Sequence, residues 1–159
     1  METNKLDKNI DEKFMKTAYM EAIKALKYDD VPIGAVIVRD NQVIAKAYNK
    51  RNHKNNTTSH AEIIAINKAC KKLKDWRLEG CTMYVTLEPC QMCAGALVQS
   101  RIDRVVIGAS SPKSGCCGSI INLLDNPDFN HQVDITCGVM EKDCEKIIKD
   151  FFAKLRKAP

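Results

Sequence analysis

Several features are scarce in this chain, and each scarcity removes a class of protein. No apolar run reaches membrane length, and Met1-Glu2-Thr3-Asn4-Lys5-Leu6-Asp7-Lys8 is polar and charged, with no apolar h-region behind it. A spanning helix needs about 20 consecutive apolar residues and a secretory signal needs an apolar h-region, so neither is expected and the expected location is cytoplasmic. Internal repeats, linkers and low-complexity stretches are also missing, which excludes repeat architectures and tethered domains; residues 1–159 are expected to form one domain. No charge sign dominates, since 25 Lys and Arg against 20 Asp and Glu leave a net +5, which alone says little about partners.

Cysteine is not scarce. Eight cysteines in a short, loop-rich secreted chain would suggest a disulfide scaffold, but long helical and strand patterns argue for reduced thiols here. Asn9-x-x-Glu12 has the form of a capping box, and Phe14, Ala18, Ala22 and Ala25 recur at helical spacing, which predicts a helix from about residue 11 to 28. Residues 34–38 and 42–48 read as two strands of a hairpin turning at Asp40-Asn41, and the polar, basic stretch 49–59 reads as a loop. A second helix is predicted over about 60–73 with Ile63, Ile66, Cys70 and Leu73 on one face. It is followed by a strand over 82–87, a helix starting at Pro89 and ending near Ser100, and a strand over 104–108. Strand, helix, strand predicts a right-handed parallel crossover. Residues 133–136 form a weak fifth strand, and 141–157 a last helix with Cys144, Ile147, Ile148, Phe151, Phe152 and Leu155 as its apolar stripe. Helices before, between and after strands imply a three-layer α/β/α domain with a central mixed sheet of five strands.

The chemistry concentrates in Glu88-Pro89-Cys90-Gln91-Met92-Cys93. Two thiols three residues apart share one helical turn and can reach one metal ion, and a helix N-terminus favours the thiolate that binds it. A lone C-x-x-C also fits a redox dithiol. Upstream, however, stands His60-Ala61-Glu62, and His-x-Glu followed by Pro-Cys-x-x-Cys is a known pattern, that of zinc nucleobase deaminases, adenine editors among them. His60, Cys90 and Cys93 make three ligands, the number that leaves a catalytic zinc one open position. A structural zinc would take a fourth from Cys70, Cys81, Cys116, Cys117, Cys137, Cys144, His53 or His131, none at a convincing spacing. Ser59-His60-Ala61-Glu62 also fits a capping box, in which Glu62 merely bonds back to Ser59. That alternative explains neither the histidine between them nor the cysteines downstream. Glu62 is therefore expected to shuttle protons in a hydrolytic deamination.

The stretches Val31-Pro32-Ile33-Gly34-Ala35, Thr58-Ser59-His60-Ala61-Glu62, Trp76-Arg77-Leu78-Glu79-Gly80, Tyr84 through Ala96, Ser100-Arg101-Ile102 and Phe151-Phe152 closely resemble the bacterial tRNA-specific adenosine deaminases, within the cytidine deaminase-like superfamily. The resemblance covers nearly the whole chain. It implies conversion of the wobble adenosine of a tRNA anticodon to inosine, on a flipped-out base, by a homodimer with one zinc ion per chain. It further implies that His60, Cys90 and Cys93 hold zinc and that Asn49 hydrogen-bonds the target base. Ala61 would contribute its backbone, Pro32 and Leu87 would line the base pocket, and Phe151, Phe152 and Arg156 would meet the anticodon loop. Two positions depart from the family pattern. Asn56-Thr57 replaces Asp-Pro, and Ser111 stands where an aspartate commonly contacts the ribose, which implies a weaker preference for RNA over DNA. Basic residues Lys50, Arg51, His53 and Lys54 before His60, and Lys149, Lys154, Arg156 and Lys157 at the end, are candidate phosphate contacts. A deaminase of free guanine or a cytidine nucleotide, and a non-catalytic zinc module that binds nucleic acid, are the competing functions.

Overall fold

The three central strands are near-continuous apolar runs because each is covered on both faces. In the computed structural model, which describes residues 5–157, the order is α1 (Lys5–Ala25), a 3₁₀ turn (Leu26–Tyr28), β1 (Gly34–Arg39), β2 (Gln42–Tyr48), α2 (Ala61–Leu73), β3 (Cys81–Leu87), α3 (Gln91–Gln99), β4 (Arg104–Ala109), β5 (Asp134–Cys137) and α4 (Glu141–Lys157). The strands form one five-stranded sheet in the order β2-β1-β3-β4-β5. β1 runs antiparallel to β2 and β3, and β3, β4 and β5 run parallel. This is the predicted three-layer α/β/α arrangement around a mixed sheet.

Strand alternation sorts the core. Ala35, Ile37, Met83, Val85, Val105 and Ile107 face α2 and α3, meeting Ala65, Ile66, Ala69, Ala94 and Leu97. Val36, Val38, Tyr84 and Val106 face the other layer, where Phe14, Met15 and Ala18 of α1 and Cys144 of α4 cover them. The hairpin turns at Asp40 and Asn41, with φ of 50° and 60°, the mirror-image turn that suits twisted strands. At the opposite end of the sheet from the site described below, Asp11 accepts a bidentate pair from Arg104 (3.0 and 2.7 Å) and the Tyr84 hydroxyl (2.9 Å). Burial, and then that bond to Asp11, hold the Tyr84 phenol above its usual pKa.

Gly34 opens β1 against α1. A Cβ there would overlap the Ala18 carbonyl oxygen and stand 2.5 Å from the Ala22 nitrogen, both backbone atoms that cannot rotate away. Gly34→Ala is therefore expected to cost about 3 kcal/mol, the upper range for overpacking, read as a lower midpoint in urea unfolding. An unchanged midpoint would mean that α1 shifts freely on the sheet.

Three expectations need correction. α1 already includes Asn9, so the Asn9-x-x-Glu12 capping box does not exist; an asparagine caps only where its own backbone has left the helix. The buried face of α2 is Ala61, Ala65, Ile66 and Ala69, with Ile63 and Cys70 only half-buried, because alanines let the helix lie close to the sheet. In α4 only Cys144 and Ile147 are buried, while Phe152 is 38% and Leu155 56% exposed, since no further layer covers its distal turns.

Candidate active site

Two helix N-termini meet beside the C-terminal end of β3, and the metal-binding candidates sit on them. His60 is the N-cap residue of α2, in extended conformation, and Cys90 is the N-cap residue of α3, with Cys93 in its first turn. Pro89 therefore precedes the cap and does not occupy the first helical position as expected; its carbonyl accepts the Cys116 N–H at 2.9 Å. His60 Nδ1 lies 3.6 Å from Cys90 Sγ and 3.5 Å from Cys93 Sγ. These three donor atoms all fall within 4.8 Å of one another, and no fourth His, Cys, Asp or Glu joins them among the described residues. All eight cysteines are free.

The electrostatics suit a cation. Cys93 and then His60 donate to Cys90 and, against the cost of burial, pull its thiol down to about 3, which favours the thiolate. The hydrogen bond to Cys90, with burial next, pushes the Cys93 thiol up. The bond with Cys90 raises His60, burial opposes it, and the Glu62 charge adds to the rise. A soft imidazole and two thiols packed this closely, with one proton among the sulfurs to spare, fit a bound metal ion better than they fit one another.

Glu62 lies in the first turn of α2, 4% exposed, and its Oε1 has no hydrogen-bond partner. Burial raises its pKa, outweighing its own backbone bond and the His60 charge. The capping-box alternative fails on geometry: the cap residue is His60, and the Ser59 N–H is already given to the Asn56 carbonyl at 3.1 Å. A buried carboxyl group with one oxygen left unpaired costs stability and marks a functional group.

A cavity of about 500 Å³ opens over these residues. Of the residues expected in it, Asn49, Ala61, Leu87, Ser111 and Phe152 line it together with Glu62, His60 and Cys90. Pro32 does not; it is buried between Val31 and Ile33, which do. Phe151 turns to a separate groove with Leu26 and Leu155, and Arg156 is exposed near the end of α4, outside the cavity. Asn49 is buried and held at both ends, its Nδ2 donating to the Val31 carbonyl (3.2 Å) and its Oδ1 accepting the Arg51 N–H (3.1 Å). One amide hydrogen remains for a ligand. The loop that follows is pinned as well: Asp30 accepts the Asn52 and His53 N–H groups at 2.7 and 3.0 Å, and Tyr28 stacks on His53 at 3.8 Å.

Sequence reasoning missed Val31, Ile33, Glu88 and Ile148 as cavity residues. Ile148 was legible as an i, i+4 partner of Phe152, which was expected to meet the anticodon loop, but Ile148 was counted only with the core stripe. Glu88 carried the signal of an acid directly before Pro-Cys. Its carboxylate is raised by burial, yet the Ser119 hydroxyl and the Ser111, Cys117 and Ser119 N–H groups outweigh that and hold it below the usual range.

Residues 9–156 match the MafB19-like deaminase family. The tRNA-specific adenosine deaminase of Bacillus subtilis (strain 168) is 51% identical over 92% of this chain and 91% of its own length. That of Aquifex aeolicus (strain VF5) is 44% identical over 91% of this chain and 95% of its own. A solved structure from work on A-to-I editing by tRNA:A34 deaminases at the wobble position superposes with a TM-score of 0.81, at 43% identity, over 84% of this chain and 97% of that one.

Proposed function

Because this chain is a MafB19-like deaminase of the tRNA-specific adenosine deaminase family, we propose that it converts adenosine to inosine, with release of ammonia, at the wobble position of a tRNA anticodon. The observation that carries the reading is the meeting of His60, Cys90 and Cys93 with a buried Glu62, one carboxyl oxygen unpaired, at the wall of one cavity. The metal is zinc, one ion per chain. A tetrahedral zinc with bonds of about 2.0–2.1 Å to nitrogen and 2.3 Å to sulfur puts those atoms roughly 3.5–3.6 Å apart. The nitrogen–sulfur distances of 3.5 and 3.6 Å fit it. His60, Cys90 and Cys93 would hold the ion, which would supply a water acidic enough to give up a proton near neutral pH.

The chain's own residues do the rest. Glu62 takes the first water proton at its unpaired carboxylate oxygen and hands it to the adjacent ring nitrogen; it then takes the second from the hydroxyl added at the ring carbon and gives it to the amine, which leaves as ammonia as the C=O forms. Its raised pKa suits both halves of that task. Val31, Ile33, Leu87 and Phe152 exclude water around the base, and the free Asn49 amide hydrogen and the Ala61 backbone orient it. The partner is the anticodon stem-loop, and the chain acts as a single-domain homodimer in the cytoplasm. No helix among the described residues is long and apolar enough to cross a membrane.

The test is inosine formation on two matched anticodon hairpins, one with adenosine and one with deoxyadenosine at the wobble position. Inosine is expected on the first; its absence from both would replace this reading with that of a small-base deaminase. Ser111 lines the cavity with its hydroxyl already bonded to that of Ser114 at 2.8 Å, so it offers a neutral contact to a ribose. Ser111→Asp is expected to raise the ratio of ribose to deoxyribose rates about fivefold, the factor for about 1 kcal/mol between charged and neutral hydrogen bonds. Equal ratios for the two proteins would rule out Ser111 as the determinant.

A further inference from the structure

Glu88 is buried at the cavity, yet the proton traffic at Glu62 leaves it no chemical task. Its bonds show what it does instead. Oε1 accepts the Ser111 N–H at 3.1 Å and the Ser119 hydroxyl, and Oε2 accepts the Cys117 and Ser119 N–H groups at 3.0 and 3.1 Å. A carboxylate has about four acceptor positions, so this one is saturated and cannot serve as a base or a ligand. All four donors come from the single connection that leaves β4, a segment of turns with no helix or strand of its own. Ser111, Pro112 and Ser114 of that segment form one wall of the cavity. Gly115 passes so close that a Cβ there would overlap the Glu88 carboxyl group. The segment is wrapped around one buried charge, and glycine at 115 allows the wrap.

Resting on the deaminase reading above, we propose that Glu88 is a positioning residue for substrate recognition: it holds the 111–119 segment as a fixed wall and so sets Ser111 against the bound nucleotide. Glu88 thereby couples the cysteine-bearing helix to the loop that reads the substrate, without touching a reacting atom. Glutamine at 88 keeps one oxygen but turns an NH₂ toward donors; the Ser119 hydroxyl can reverse and accept from it, but the backbone N–H of Ser111, or those of Cys117 and Ser119, loses its acceptor.

The experiment compares wild type, Glu88→Gln and Gly115→Ala, all zinc-loaded. In Glu88→Gln the amide of Ser111, or those of Cys117 and Ser119, should exchange hydrogen at least about tenfold faster, while those of β3 and the zinc content stay unchanged. On the anticodon hairpin KM should rise about tenfold with kcat within about threefold, the mark of lost binding shared by ground and transition state. Glu88→Asp should recover part of both. Unchanged amide exchange would overturn the proposal, as would a fall in kcat or zinc content at unchanged KM, which would place Glu88 in service of Cys90 and Cys93. Should Glu88→Gln fail to fold, Gly115→Ala probes the same contact from the loop side; unaltered exchange and KM there would equally overturn it. The exchange readout needs no substrate, so a wild type that makes no inosine would defeat the functional reading while leaving the wall around Glu88 to be judged by its amides.

Discussion

Replacing Glu62 by alanine is expected to lower inosine formation by about 10²–10⁴-fold, the usual worth of a positioned acid–base group, while zinc remains bound. The split follows from where the residue stands. Glu62 belongs to the cavity but not to the trio of donor atoms, and its Oε1 is buried without a partner. Removing it deletes the proton carrier and leaves His60, Cys90 and Cys93 in place. In the zinc-free protein the same substitution relieves a buried unpaired acceptor, so that form of the variant should also melt no lower than zinc-free wild type and gain up to about 1 kcal/mol. Rate on the anticodon hairpin, zinc per chain and thermal midpoint together decide it. Activity within tenfold of wild type would remove Glu62 from the proton transfers, and lost zinc would move it among the metal-holding groups.

Cys93→Ala is expected to abolish zinc retention, and deamination with it. Cys93 is wholly buried in the first turn of α3, 3.5 Å from His60 Nδ1, and no other cysteine stands near enough to replace it among the described residues. A ligand held by the folded state alone stabilises it by about 2.7 kcal/mol at a hundredfold excess over its dissociation constant. The wild-type melting temperature should therefore fall with a strong chelator and recover with added zinc, whereas that of Cys93→Ala should respond to neither. A wild type indifferent to chelation would remove zinc from the account of stability and catalysis.

The metal-binding trio was legible because its signal is local: each helix start carries its donors within a few residues, and the pattern needs no knowledge of the sheet. The central strands were legible for a related reason, since burial on both faces writes itself as unbroken apolar runs such as Ala35–Val38. Where several features compete within one helix the signal fails. Isoleucines drew the predicted face of α2, but of them only Ile66 is buried and Ala61, Ala65 and Ala69 form the rest of that face, since close approach to a sheet rewards small side chains. In α4 an amphipathic stripe looked like core along its full length; whether a helix end finds a covering layer depends on neighbours far along the chain. Val31, Ile33 and Glu88 escaped as cavity residues because pairing of β1 with β3, and wrapping of the 111–119 segment, bring them there.

The antiparallel pairing of β1 with β3 is also a seam. On one side lie α1, the β1–β2 hairpin and α2; on the other lie β3 and everything after it. His60 and Glu62 belong to the first half, Cys90 and Cys93 to the second, so the donor set straddles the join. At the far end of the sheet Asp11, from the first half, grips Tyr84 and Arg104 from the second. The molecule is thus two pieces of chain riveted at both ends of one strand pair. A chain severed between Leu73 and Cys81 would yield two fragments, one with His60 and neither Cys90 nor Cys93, the other with both of those cysteines and without His60, and the site would come into being only on reassembly.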